Sequence, residues 1–350
     1  MIPALIGLVS SMFYNGRPGH LKKKCMHIIV IGGSAGSIKS LREITSNLPK
    51  DLDAALFVVI HFPSDKKSQL PKIISNRSSW KAVHATHDQK IERGKIYVAP
   101  PGYHLLIESG KMELGKGPSE NRFRPSIDVL FRSAAVSYGP QVTGIILSGM
   151  LDDGSAGLSA IKKRGGTAII QDPDDAEFPG MPLSALKKVG ADYCVPAEAI
   201  APLLNKFVVP APVHQKLNVM KNEDGLEWEN NLAKATNSSF EDLKKYATPS
   251  RYICPECEGP IFRMKDDTLV RYRCFIGHGF SEEILLSEMT KKINHLLWTT
   301  FRTVDEKREM IENLPQDSGT AQKEKEKINE LLNSIKSLLE INTMENIESK

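Results

Sequence analysis

His27-Ile28-Ile29-Val30-Ile31-Gly32-Gly33-Ser34-Ala35-Gly36 is a β-branched run that stops at glycine, and helical spacing follows, with Ile38, Leu41 and Ile44 on one face. A continuous apolar run of this kind reads as a strand buried on both sides, as in parallel sheets. Glycines flanking Ser34 allow a tight strand-to-helix turn that lifts its hydroxyl clear of the sheet, with N–H groups at the helix start directed at a developing oxyanion. Such a turn can also cradle phosphates. The dinucleotide pattern G-x-G-x-x-G begun at Gly32 would need glycine where Ser34 and Ser37 stand, however, and the Gly-Lys-Ser/Thr of a P-loop is missing.

Working outward, short apolar runs alternate with amphipathic stretches from residue 26 to about 208, which predicts an α/β fold with a doubly wound, mostly parallel sheet. Strands are expected over 27–32, 55–61, 95–99, 144–149, 167–171 and 192–195, and helices over 37–46 and 155–164. Residues 103–107 and 111–114, around Ser109-Gly110, read as an inserted β-hairpin. Residues 209–250 contain Pro210-Ala211-Pro212 and polar sequence, and read as a linker with one short helix near 225–235. A compact cysteine-containing unit is expected over 251–280 and a helical hairpin over 281–350. Ser281 caps its first helix, which carries a stripe of Leu286, Met289, Ile293, Leu297 and Val304 and ends before Pro315. The second carries Ile328, Leu331, Leu332, Ile335, Leu338 and Leu339, and suits a coiled-coil contact or packing on its own domain.

The 350 residues are 41% hydrophobic and 25% charged, and 46 Lys+Arg against 42 Asp+Glu leave a formal charge of +4. That surplus is too small and scattered to make a basic face, so nucleic acid is not an expected partner. Five cysteines, three of them within 254–274, argue against a disulfide scaffold and for a reducing compartment, with cytoplasm expected. Residues 1–25 read as a leader: the first 14 are apolar but lack a positive n-region, and they are too short to span a bilayer, so no membrane insertion is expected. Met26, directly before the first strand, is the expected natural start.

A nucleophilic serine needs a base and an orienting acid, and open α/β sheets build their sites at strand C-terminal ends. The second expected strand runs into His61-Phe62-Pro63, and the fourth into Ser148-Gly149-Met150-Leu151-Asp152-Asp153-Gly154. Singly, each residue has a plain explanation: His61 is one of nine histidines, Asp153 a turn former before glycine, Ser34 a helix cap. Together, at one edge of one sheet, Ser34, His61 and Asp153 form a candidate catalytic set, with Asp152 an alternative acid. Farther along, Cys254-x2-Cys257-x16-Cys274-x3-His278 supplies two ligand pairs, with Gly259 and Gly277 suited to knuckle turns. This spacing predicts a structural zinc site with four protein ligands, against the plainer reading of reduced cysteines. Cys25 and Cys194 fall outside the pattern.

Residues 27 to about 205 resemble the catalytic domain of the chemotaxis protein-glutamate methylesterases (CheB type). The resemblance rests on Gly32-Gly-Ser34-Ala-Gly36, His61 followed by Pro63, Ala99-Pro-Pro-Gly-Tyr-His104, Arg122-Phe-Arg-Pro-Ser-Ile-Asp128-Val-Leu-Phe131, Ser148 to Gly154 and Phe178-Pro-Gly-Met-Pro182. It implies hydrolysis of glutamate γ-methyl esters on the cytoplasmic helices of methylated chemoreceptors, and deamidation of glutamines there, without a catalytic cofactor. By matching motif Ser34 is the nucleophile, His61 the base and Asp153 its orienter, with backbone N–H groups of Ala35 and Met150 at the oxyanion. Ala35 and Ser37 stand where many relatives have Thr and Gly, and Phe123 replaces a commonly seen histidine. Arg122 and Arg124 either meet receptor carboxylates or anchor a helix within the fold. Such enzymes often carry an N-terminal receiver domain of roughly 120 residues. Only about 25 residues precede the first strand here, so control is expected from a separate signalling protein or from the C-terminal helices. The cysteine unit resembles zinc-ribbon-like extensions of stand-alone homologues. The competing reading is a non-catalytic signalling module on the same fold.

Overall fold

The computed structural model describes residues 26–61, 68–208, 225–235, 240–265, 269–313 and 319–348. The expected leader, Phe62 and Pro63, and the Pro210 to Pro212 stretch lie outside the described residues.

The first body runs β1 (His27–Gly33), α1 (Ser37–Ser46), β2 (Ala54–Ile60), α2 (Leu70–Ser75), β3 (Lys81–His84), β4 (Gln89–Lys90), β5 (Lys95–Val98), β6 (His104–Glu108), β7 (Lys111–Gly115) and α3 (Ile127–Tyr138). It continues with β8 (Val142–Ile146), α4 (Ser155–Lys163), β9 (Thr167–Gln171), α5 (Gly180–Lys188), β10 (Tyr193–Val195) and α6 (Ala197–Phe207). Seven strands form one sheet in the order β10-β9-β8-β1-β2-β5-β3, with every pairing parallel. The hairpin β6–β7, joined by β4, makes a separate antiparallel sheet.

β1 shows why the sheet is covered on both sides. Ile28 and Val30 enter the core shared with α3 and α4, while Ile29 and Ile31 enter the one shared with α1 and α6, all fully buried. Chain order reverses about β1, which pairs with β2 on one side and β8 on the other. In open parallel sheets such a point leaves a crevice at the strand C-terminal ends. One strand of the parallel sheet was not expected from sequence: β3 is four residues long, and Ala82 is its one buried residue. So short an edge strand carries too little apolar pattern to register.

The second body comprises α7 (Leu226–Ala233), α8 (Phe240–Tyr246), β11 (Ala247–Ile253), β12 (Pro260–Met264), β13 (Arg271–Cys274), β14 (Gly279–Ser281), α9 (Glu282–Glu312) and α10 (Gly319–Glu348). Its strands form an antiparallel sheet in chain order. The expected linker thus holds two helices, and α7 docks onto the first body: Gly117 N–H donates to Ala233 O (3.0 Å) and Arg132 Nε to Asn230 Oδ1 (2.9 Å). Its Glu229 and Asn230 are buried. α7 is the short helix expected near 225–235; its docking was not expected, because periodicity counts only apolar residues and misses a polar helix buried among matching charges. The cysteine-bearing sheet also starts earlier than expected, at Ala247 rather than 251.

Ser281 caps α9 as expected, its Oγ accepting from Ile284 N–H (3.2 Å). Phe301, Val304 and Ile311 of α9 meet Ile328 and Leu332 of α10, which makes the hairpin. Leu286, Met289 and Ile293, expected on the packed stripe, are instead exposed. Among the described residues no helix is long and apolar enough to cross a membrane.

Candidate active site

β1 ends at Gly33 and α1 starts at Ser37, so Ser34 stands in the turn between them. Gly36, not Ser34, occupies the cap position, with φ of +73°, a conformation that glycine reaches without steric cost. Ser34 N–H donates to Ser148 O (2.9 Å), tying this turn to the loop after β8. That loop comes so close that a Cβ on Gly149 would lie 2.9 Å from Ser34 Cβ and 2.1 Å from Met181 Sδ.

His61 follows β2, and its N–H donates to Gly33 O (3.1 Å), one residue before Ser34. The imidazole is buried, its Nε2 2.9 Å from Asp153 Oδ2, and Phe123 stacks on it with centroids 3.5 Å apart and planes within 10°. Asp153 is the acceptor in that contact, so Nε2 carries the hydrogen and Nδ1 the lone pair. Nδ1 is buried without a hydrogen-bond partner among the described residues. His61 and Asp153 are therefore in contact, while Ser34 holds the neighbouring strand end without a hydrogen bond to Nδ1.

Asp153 is the most heavily bonded group of the site. Oδ2 accepts from His61 Nε2 and Ile127 N–H (2.8 Å), and Oδ1 from Asn121 Nδ2 and Ser126 Oγ (both 2.9 Å). Burial opposes its ionisation, but the bonds from His61, Asn121 and Ile127 prevail and hold the carboxyl below its usual value. Ile127 opens α3, whose N-terminus favours negative charge. Asp128, in the same cluster, is pushed well above the carboxylate range by burial and by Asp153. Asp152, the alternative acid, turns to Lys188 Nζ and Ser281 Oγ, both at 2.6 Å.

Sequence reasoning missed Asn121 and gave no role to Ser126 or His104, although both stand in the motifs that carry the resemblance. Ser126 occupies the cap position of α3, yet its hydroxyl goes to Asp153 and leaves the helix without a side-chain cap. His104 is buried and held at a pKa of about 4 by desolvation; its Nε2 donates to Pro118 O (2.9 Å) and its Nδ1 accepts from Ser126 N–H (3.3 Å). Asn121 and Arg122 have φ of +52° and +72°. An Asn inside a polar stretch is a faint signal for such a turn.

Ala35 and Met150 have no backbone acceptor for their N–H groups among the described residues. The loop bearing Met150 is braced by Gly149 N–H to Phe178 O (2.9 Å) and Met181 N–H to Gly149 O (2.8 Å), which explains the Phe178 to Pro182 motif. A cleft of about 490 Å³ opens beside the imidazole, lined by His61, Arg122, Phe123 and Arg124 and, from the second body, Glu256 and His278. Arg122 pairs with Glu288 of α9 (2.8 Å), and Arg124 donates to the carbonyls of Lys116 and Gly117. Both arginines thus have anchoring partners inside the fold.

Ligand atoms of Cys254, Cys257, Cys274 and His278 lie within 4.8 Å of one another, so the cluster can hold a metal ion. Cys257 and Cys274 Sγ are 3.6 Å apart, and His278 Nδ1 is 3.5 Å from Cys274 Sγ and 3.8 Å from Cys254 Sγ. Four ligands about 2.3 Å from a common centre would be about 3.8 Å from each other in a tetrahedron. Glu256 Oε2 lies 3.3 Å from His278 Nε2, the carboxylate–histidine arrangement that orients metal-bound imidazoles. Cys194 is exposed and separate.

Comparison with known proteins bears on the first body. A Leptospira interrogans protein is 40% identical over 176 residues, which are 50% of this chain and 91% of that protein. A Methanosarcina mazei protein, named protein-glutamate methylesterase/protein-glutamine glutaminase 2, is 31% identical over 219 residues, 58% of this chain and 60% of its own length. The Leptospira name joins the same two activities. Among solved structures, the Thermotoga maritima CheB methylesterase catalytic domain matches with a TM-score of 0.50 and 33% identity, covering 52% of this chain and 98% of that one. The CheB methylesterase family model matches residues 29–204. On its sequence and its parallel sheet, the chain belongs to the CheB methylesterase family.

Proposed function

We propose that this chain is a cytoplasmic serine esterase that hydrolyses glutamate γ-methyl esters on the helices of methylated chemoreceptors and deamidates glutamines there. The observation that carries this reading is the buried His61–Asp153 pair, whose remaining nitrogen, Nδ1, has no partner among the described residues, on a residue whose backbone is bonded to Gly33, the neighbour of Ser34. In the forward step Ser34 Oγ attacks the ester carbonyl carbon while His61 Nδ1 takes the hydroxyl proton. Asp153 accepts from Nε2 throughout, fixing the tautomer and stabilising the imidazolium. The tetrahedral oxyanion is held by the N–H groups of Ala35 and Met150, a role worth roughly 3 to 4 kcal/mol per donor in other hydrolases. Collapse expels methanol with the proton from Nδ1, leaving an acyl ester on Ser34, and water activated by the same nitrogen releases glutamate. Glutamine would follow the same path with ammonia as the leaving group.

Three further assignments accompany this reading. Residues 26–208 form the esterase, and Cys254, Cys257, Cys274 and His278 hold a structural zinc ion, whose four protein ligands leave no position for substrate. Metal analysis of chain purified without chelator should find about one zinc per chain; absence of metal would remove this assignment. The C-terminal helices, with their exposed Leu286, Met289 and Ile293, are the surface for a separate signalling protein. The function itself is tested by incubating the full chain with membranes bearing the cognate methylated receptor and measuring methanol. Release supports the esterase; none from verified folded protein would favour a non-catalytic module.

A further inference from the structure

The second body meets the candidate site most directly at the turn from Glu120 to Phe123. Glu120 N–H donates to Phe123 O (3.2 Å) and Phe123 N–H to Glu120 O (3.0 Å), which closes the turn. Phe123 stacks on His61, and Asn121 Nδ2 donates to both Asp153 (2.9 Å) and Asp128 (2.9 Å). The outer edge of this turn is paired to β14. Asn121 N–H donates to Gly279 O (2.8 Å), Gly279 N–H to Ser119 O (3.2 Å), and Ser281 N–H to Asn121 Oδ1 (2.9 Å). Gly279 directly follows His278, and the knuckle is closed by Cys274 N–H to His278 O (3.0 Å) and Gly277 N–H to Cys274 O (3.0 Å).

We propose that the Cys254, Cys257, Cys274 and His278 unit is a positioning element of the catalytic site: metal bound there fixes β14, and β14 fixes Asn121, Asp153 and the stacked His61. Every step is a hydrogen bond or a ring contact between adjacent groups. The Asn121 amide is the joint. Its oxygen is held by the second body and its nitrogen holds the catalytic carboxylate, so the side chain cannot turn without breaking one or the other. Glu256 and His278 also form the far wall of the cleft beside His61, so a receptor helix entering it would meet the cysteine unit directly. Asn121 is a positioning residue; it acts on the reaction through Asp153. The inference rests on the esterase reading for its catalytic half and on the hydrogen bonds through β14 and Asn121 for its structural half.

The test uses the full chain, loaded with zinc and then stripped by a chelator, with metal loss verified. Amide exchange at Asn121 and Ile127 should speed up at least about tenfold on stripping, while Val30 and Phe57 in the central strands stay protected. Labelling of Ser34 by a fluorophosphonate should slow about 10- to 100-fold, as when other groups that orient a site are lost, and added Zn2+ should restore both. Asn121→Gly keeps the backbone geometry and removes the amide. It should lower kcat by a similar factor with KM for methylated receptor within about twofold, raise the acid limb of the pH profile, and make labelling insensitive to stripping, as expected for two changes on one path. Unchanged exchange at Asn121 and Ile127 after verified metal loss would overturn the proposal, as would metal analysis that finds none bound. Loaded wild type that fails to label at Ser34 and releases no methanol would sink the esterase reading instead, and exchange alone would then decide the coupling.

Discussion

Ser34→Ala is expected to lower the rate of methanol release about 10⁶-fold and Asp153→Asn about 10⁴-fold, as loss of a nucleophile and of its orienting acid do in other serine hydrolases. The first removes the hydroxyl proposed to form the acyl ester. The second acts through the tautomer. An amide in place of the Asp153 carboxylate presents a donor, so that imidazole turned to accept from it at Nε2 carries its hydrogen on Nδ1, where the base must be free. Asp152→Asn should cost far less, since Asp152 bonds Lys188 and Ser281 and has no contact with the imidazole. Initial rates with methylated receptor, on variants whose circular dichroism matches wild type, provide the check. A larger loss from Asp152→Asn than from Asp153→Asn would mean that the acid has been misassigned.

Glu229→Gln is expected to destabilise the chain by about 3 to 5 kcal/mol, the usual cost of breaking a buried ion pair from one side. Glu229 accepts from Arg271 Nη1 (2.8 Å) and Arg273 Nη2 (2.7 Å), and Arg273 also reaches Glu120 (3.0 Å), which holds Arg132 through two bonds of 2.9 Å. Glu229, Glu120, Arg132 and Arg273 are all at most 5% exposed. An uncharged amide would leave the guanidinium groups of Arg271 and Arg273 facing a neutral partner in the interior. Urea unfolding gives the difference, and a loss below about 1 kcal/mol, the range of exposed pairs, would show that water reaches the network. The same group sets an acid limit. Burial opposes its charge, but Arg271, Arg273 and Arg132 hold its pKa down to about 2. Because the folded value lies below the unfolded one of about 4.3, this stabilisation is complete above that pH and is lost as pH falls towards 2. Glu229→Gln should therefore flatten the fall in stability over that window.

How much was legible depended on whether a residue's role shows in a local pattern. The central strands and the elbow at Ser34 were readable because uninterrupted β-branched runs ending in glycine have few other uses. His61 and Asp153 drew notice because each sits directly after such a run. Asn121, Ser126 and Glu229 were not readable: their partners lie 32, 27 and 44 residues away along the chain, and no periodicity marks a polar group that is buried because another meets it. The helix near 225–235 was expected, but its burial against the first body was not, for the same reason. The stripe on α9 shows the opposite limit, since helical spacing of Leu286, Met289 and Ile293 fixes which face is apolar but not whether anything covers it.

Ser281 holds three posts at once: last residue of β14, cap of α9, and partner of both Asp152 and Asn121. From that pivot α9 extends for 31 residues, a rod of roughly 45 Å at 1.5 Å per residue. A pull or twist applied near its distal end is therefore delivered, with the leverage of the whole rod, to the residue beside the carboxylate pair. The base of the hairpin thus lies against Asp152 and Asn121, beside the candidate catalytic acid.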